Sequence, residues 1–488
     1  MMKRFSENRI DLLFPILTLF TVTFFVYRDF GIRMLYGFTA LAAVLAVALL
    51  VRLVRDRVPV MDPVRLGLLL LAAAVVVNFL RPDSRHDADA VSFLIAMGIC
   101  CGFVVLSRPN EQTGRLVMGI CLGGAVAIMA FVQFFELFPQ LFWGWFLDKL
   151  SETAGSYLSY YVPKGYGFTL GGATFSNYVL FLGIAVCAGF LVSGRKFDWK
   201  SGLALLLGGG FLYSILIIGR RGELLGAVAC LVLLVLFLCS KRQRRNLILG
   251  GVAALVIGVC VLIPLLPWLR QFQPLIRYVM TMEMILSGQD ITSGRTELYA
   301  IAIDAFLKNP LLGIGLDQFH TLIPAEFLAL HGKDVEDVHC IYLQFLTETG
   351  ILGAPFLIAP LLYGYWLVCA QFVRLKQRPG ELQTARMLCV SSFLIQSFLL
   401  ILGIYDPNFQ RVIFWCFYAI ALLLLATALE LEGAILADPV SRMLNRLIAR
   451  CAPLCSRLWD RAAGLLRPSG ERFPSQAGPL TEIGRAHV

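Results

Sequence analysis

Apolar runs about as long as a bilayer is thick recur along this chain, and they leave it few possible folds. A bilayer core measures roughly 30 Å and a helix rises about 1.5 Å per residue, so a run of about 20 apolar residues crosses it. Twelve runs meet that need: 10–27, 34–51, 64–80, 90–107, 116–138, 175–193, 203–218, 224–239, 247–266, 351–373, 387–404 and 412–429. Composition agrees, with 58% hydrophobic and 15% charged residues, against about 45–50% and about 25% in soluble domains. So few charges cannot cover a water-exposed surface, which excludes a soluble enzyme, a disordered chain and a nucleic-acid binder. The predicted class is all-α: a polytopic membrane protein with about 12 transmembrane helices and one large helical outer loop between spans nine and ten.

The spans divide the chain. An N-terminal bundle of five spans occupies 1–138, and a smaller outer loop follows at 139–174. Spans six to nine fill 175–266, a large outer loop 267–350, spans ten to twelve 351–429, and a basic tail 430–488. The first run follows Lys3, Arg4 and Arg9 as a secretory signal would. It ends in Tyr27-Arg28-Asp29 without a small-residue cleavage site, and more spans come after it, so it reads as a retained helix.

Cytoplasmic loops collect Lys and Arg. With the N-terminus inside, inner segments hold roughly two thirds of the 42 basic residues, while acidic residues lean outward. The net charge of +10 therefore records topology, with both termini cytoplasmic. In the tail, Arg442, Arg446 and Arg450 at i, i+4 spacing enclose Met443, Leu444, Leu447 and Ile448, which suits an interfacial helix on the inner leaflet. Of the 13 cysteines only Cys340 falls in an outer segment, so no disulfide framework is expected.

Some charges defy this pattern. The run 203–239 is roughly 55 Å long as one helix, nearly twice the membrane core, so it must fold back. Its polar break is Gly219-Arg220-Arg221-Gly222-Glu223, which puts two arginines on the outer side of a tight hairpin. They either snorkel to the headgroups or form an anion site, with Glu223 pairing one and leaving the other. Ser293-Gly294-Arg295-Thr296-Glu297 opens a predicted helix, capped by Ser293 and ending before Asn309-Pro310. Arg295 then lies in the first turn, where a cation opposes the helix dipole and a bound anion would reverse the penalty. His339 stands at the water–membrane boundary on the same side, so it is preferred over His320 and His331. Residues 339–349 either lie on the surface or begin a long span broken at Gly350. Asp87-Ala88-Asp89 is a weak divalent-metal pattern, and no Walker loop, zinc spacing or serine nucleophile elbow occurs.

Three blocks resemble the O-antigen ligase / O-antigen polymerase superfamily of bacterial envelope glycosyltransferases. They are Arg220-Arg221-Gly222-Glu223-Leu224-Leu225; Ser293-Gly294-Arg295 with Pro310-Leu311-Leu312-Gly313-Ile314-Gly315; and His339-Cys340-Ile341-Tyr342-Leu343-Gln344 with Glu348-Thr349-Gly350-Ile351-Leu352-Gly353. The resemblance covers roughly 205–373. Two positions depart from it: Cys340 stands where the family has Asn, and Arg220 where it has a small polar residue. Which of Arg220 and Arg221 faces substrate is left open, with register favouring Arg221.

The resemblance implies a bacterial inner-membrane enzyme with its site in the periplasm. The donor would be a glycan on undecaprenyl pyrophosphate and the acceptor the sugar core of lipid A, with no cofactor and no metal. Arg221 and Arg295 would hold the pyrophosphate, His339 would accept the acceptor's proton, and Arg220, Tyr342 and Gln344 would touch substrate. The chemistry of these residue types fits. A guanidinium keeps its charge and grips phosphate, and an imidazole with an ordinary pKa of about 6.5 can take a proton near neutrality. A polymerase or protein O-glycan ligase of the same superfamily is the near alternative. A lipid-linked glycan flippase is the distant one, though it needs no proton acceptor and the chain has no repeated half.

Overall fold

A computed structural model of the chain describes residues 62–86, 88–107, 110–138, 173–193, 198–289, 294–331, 337–377, 382–409 and 411–433. The first two predicted spans, nearly all of the loop 139–174 and the proposed interfacial helix of the tail lie outside them, as do Asp87 and Ser293. The described residues are helical and hold no strand. In chain order the helices are α1 (Pro63–Phe79), α2 (Ala88–Leu106), α3 (Glu111–Leu137), α4 (Ala173–Val192), α5 (Trp199–Ile218), α6 (Arg221–Leu238) and α7 (Lys241–Leu269). There follow α8 (Ile276–Leu286), α9 (Arg295–Lys308), α10 (Ala325–His331), α11 (Ile341–Lys376), α12 (Gln383–Leu402) and α13 (Val412–Glu432). Each predicted span within the described residues coincides with one of these. Among the described residues seven helices are long and apolar enough to cross a membrane, and two shorter apolar ones, Pro63–Phe79 and Phe93–Val105, accompany them.

Helices α4, α12 and α13 form the centre and are buried along most of their length, whereas α3, α5 and α6 bury only the smaller part of theirs. Aromatic rings lock the centre together: Phe181 stacks on Phe398 at 3.9 Å, and Tyr178 meets Phe398 and Phe417 edge-on at 5.5 Å. At one end of the bundle, basic side chains close the helix C-termini, whose last carbonyls lack partners within the helix. Arg65 donates to the carbonyls of Val104 and Ser107, Lys376 to Phe237 and Arg386 to Leu375. The functional segments gather at the other end.

There α11 is broken, which resolves what the sequence left open. Gly350 has φ 66° and ψ −174°, so 341–349 is a separate helical piece leading into the long span. A break exposes carbonyls on one side and amides on the other. The loop Pro310–Gly315 satisfies both sets. The amides of Ile314 and Gly315 donate to the carbonyls of Thr347 and Glu348 at 3.0 and 2.9 Å, while those of Ile351 and Leu352 donate to Pro310 and Leu311 at 2.8 and 3.1 Å. Only glycine fits at 350, because a Cβ there would sit 2.3 Å from the Leu311 carbonyl oxygen. Two blocks that are weak as isolated motifs thus form one backbone clamp.

Candidate active site

The arginine hairpin is as tight as the sequence requires. α5 ends at Ile218, Gly219 turns the chain at φ 78°, Arg220 is extended, and α6 starts at Arg221. The switch from extended backbone at Arg220 to helix at Arg221 sends the two side chains apart. Arg220 lies 3.9 Å from the buried Glu223. Arg221 donates to the Thr281 hydroxyl at 2.6 Å, on the face of α8 whose Tyr278 hydroxyl donates to Leu216. The expected pairing of Glu223 with one arginine therefore falls to Arg220. Gly222 leaves room for the Tyr405 ring, which a Cβ would meet at 2.4 Å, and the Tyr405 hydroxyl donates to the Gly222 carbonyl.

α9 begins at Arg295 behind Gly294, whose φ of 81° makes it a left-handed cap with no side-chain hydrogen bond. It ends at Lys308, before Asn309-Pro310 as the pattern predicts. Leu298 and Ala302 of α9 pack with Phe319, Phe327 and Val338 in a small core of the outer segment. The Thr347 hydroxyl donates to the Ala302 carbonyl at 3.1 Å and so ties α9 to α11.

His339 lies between these elements, one residue before the N-cap of α11. Its φ of 60° is left-handed, uncommon for a residue with a Cβ and of a kind that recurs at functional sites. The Tyr299 hydroxyl donates to its carbonyl at 3.4 Å, and its Nδ1 is buried with no hydrogen-bond partner. Burial lowers the imidazole pKa to about 4; the positive charge of Arg295 adds to this, Asp406 opposes it, and Arg411 and Arg220 reinforce it. Arg295 also acts on Glu223, as Arg220 does. Charges far apart in sequence thus act on one ring. Of the hairpin pair, Arg220 is the one whose charge acts on it.

The other expected residues take different places. The Tyr342 hydroxyl donates to the Leu400 carbonyl at 2.8 Å, and the Ile341 amide to Gly403 at 2.8 Å, which seats the start of α11 on the end of α12. Gln344 is buried and donates to Glu348 at 3.0 Å and to Asp337 at 3.4 Å. Burial pushes the Asp337 carboxyl up to about 6, against the pull of Arg411. The His320 ring contacts the Asp317 carbonyl through Nδ1 at 3.0 Å. The side chains of Asp89 and His331 lie outside the described residues.

Sequence reasoning passed over Asp406 and Arg411, in the turn between α12 and α13. Asp406 Oδ1 is 3.6 Å from Arg411, while its Oδ2 is buried with no hydrogen-bond partner. Two opposite charges in so short a turn between apolar spans were the available signal. Together the arginines share a further property. Arg220 is the N-cap of α6 and Arg221 its first residue, Arg295 opens α9, and Arg411 is the N-cap of α13. Each cation faces the positive end of a helix dipole, an arrangement that repels itself and favours an anion.

The class so defined is a multi-pass membrane protein with a histidine and several arginines gathered at one end of its bundle. Residues 202–358 match the family model described as O-antigen ligase, from α5 through the hairpin, α9 and His339 to just past the break at Gly350. Over that stretch the chain is similar to the O-antigen ligase family, which supports a function of O-antigen ligase or polymerase type. Asp406 and Arg411 lie beyond the matched residues. No curated protein matches the chain at a significant level.

Proposed function

We propose that the protein is a glycosyltransferase of the bacterial inner membrane that moves a glycan from undecaprenyl pyrophosphate to a sugar of the lipid A core at the periplasmic face, with both termini cytoplasmic. The observation that carries this reading is the half-buried imidazole of His339, its Nδ1 without a hydrogen-bond partner, under the charge of arginines that stand at three helix N-termini. Arg295 and the hairpin arginines grip the pyrophosphate, Arg220 nearest the imidazole and Arg221 toward α8. The acceptor hydroxyl attacks the anomeric carbon from the face opposite the phosphate. Its C–O bond forms as the sugar–phosphate bond breaks, the electron pair leaves with undecaprenyl pyrophosphate, and the proton passes to a ring nitrogen of His339. Configuration inverts, and no metal takes part.

Three features support these roles. With its pKa lowered to about 4, His339 is uncharged and ready to accept a proton at neutral pH. The arginine charges meet the negative charge that develops on the leaving group. The Asp406 carboxylate stabilises the imidazolium once it forms, acting as a positioning residue. Tyr342 and Gln344, proposed from the resemblance to touch substrate, have polar groups committed to Leu400, Glu348 and Asp337 and serve better by holding the start of α11 in place.

The test is purified protein in vesicles with a lipid-linked glycan and lipid A core, supplied separately and together. Glycan on the core, retained in excess chelator, is the expected result. Longer chains on the carrier would mean a polymerase, glycan on added protein a protein ligase, and movement across the bilayer without transfer a flippase.

A further inference from the structure

The clamp loop has an exposed side that the site does not use. Leu311 and Leu312 are 61% and 57% exposed, although they sit in the stretch Pro310–Leu316, which carries no charge and no polar side chain. The backbone bonds of the clamp fix their position beside Ile351 and Leu352, which open the spanning part of α11 and are themselves more than half exposed. On its other flank the loop touches the end of α1, where Arg81 donates to the Leu312 carbonyl and Leu80 is 71% exposed. α1 and α11 pack against each other. Their outward apolar surface, including Val77 and Phe356, is the kind that meets lipid in a spanning bundle. Leu311 and Leu312 continue this surface without interruption. The first charges met beyond it are Arg81 and Asp83, which pair with each other as groups at headgroup level do.

We propose that Leu311 and Leu312 insert among the acyl chains of the leaflet nearest the site, and so anchor the outer segment to the membrane. The partner is the lipid itself. The anchor sits three residues after α9, which begins with Arg295, and is bound through the clamp to the piece of α11 that follows His339. It therefore sets the depth of both side chains at the headgroup boundary. A loop that read in sequence as wholly extramembrane becomes partly embedded. The inference needs the spanning helices and not the glycan-transfer reading.

The test uses the full chain in phospholipid vesicles that contain a phosphatidylcholine with a diazirine on its acyl chain. After illumination and proteolysis, mass spectrometry maps the adducts. Adducts are expected on Leu311 and Leu312 at yields comparable with those on Ile351, Leu352 and Phe356, whose labelling verifies that the probe reaches the bundle. Labelling of those three without any on Leu311 and Leu312 overturns the proposal.

Discussion

The two ends of the helix bundle treat charge in opposite ways. At the end formed by Arg65, Lys376 and Arg386, each charged group reaches the last carbonyls of a neighbouring helix, although Arg65 and Arg386 themselves stand in the first turns of α1 and α12. At the end with Arg220, Arg221, Arg295 and Arg411, cations crowd helix N-termini. The first arrangement is stabilising by about 0.3–1 kcal/mol per charge, and the second costs a similar amount. Arg65 is paired to Asp62 at 2.8 Å, whereas His339 Nδ1 and Asp406 Oδ2 have no hydrogen-bond partner. An imidazole nitrogen and a carboxylate oxygen buried without hydrogen-bond partners, at the end where arginines stand at helix N-termini, suit a ligand that arrives there.

The largest expected effect tests this directly. His339→Gln should lower glycan transfer by roughly 10²–10⁴-fold, the usual range for losing a general base. Donor binding and the unfolding midpoint in detergent should stay within error. His339→Gly should even hold or raise stability, because it relieves a left-handed backbone that costs on the order of 1–2 kcal/mol. Loss of transfer accompanied by unfolding would remove the distinction between the ends. At the opposite end the outcome reverses. Arg65→Met leaves the Asp62 carboxylate buried without its partner, and should destabilise the protein by about 3–5 kcal/mol. Transfer per folded molecule should not change.

Much of this contrast could be read from the chain. Apolar runs located the spans because the bilayer imposes their length, and the polar break at 219–223 could only be a turn. His339 and Arg295 were selected for charge or chemistry at a boundary, and the fold brings them together. The clamp could not be read, since the groups that satisfy the break at Gly350 come from Pro310–Gly315 and no local pattern encodes that pairing. Asp406 escaped for a similar reason: a carboxylate in a turn looks solvated until packing buries it. The two hairpin arginines differ because the backbone is extended at Arg220 and helical from Arg221, a boundary that sequence alone does not locate to one residue.

Electrostatics at the site end gives a smaller, sharper effect. The pH dependence of kcat/KM reports the free enzyme and that of kcat the donor complex. In the free enzyme the imidazole is uncharged above about 4, so kcat/KM should hold on acidification until pH approaches that value. A pyrophosphate esterified at both ends keeps its charge across this range. Once bound, it offsets the arginines and lets the imidazole pKa rise. The acid limb of kcat should therefore lie at higher pH than that of kcat/KM. Coincident limbs would show that the arginines and the histidine do not share an anion.

The smallest expected effect separates the hairpin arginines. The charge of Arg220 acts on His339, whereas Arg221 is bonded to Thr281 and acts on Tyr278. Both replacements by Ala should weaken donor binding, since both remove positive charge from the anion site. Only Arg220→Ala should also shift the acid limb of kcat/KM, and the shift should be upward, because one of the cations opposing protonation has gone. Arg221→Ala should leave that limb in place. Equal shifts in the two variants would mean that the hairpin acts on the imidazole as one diffuse charge, and the division made by the backbone between Arg220 and Arg221 would carry no chemistry.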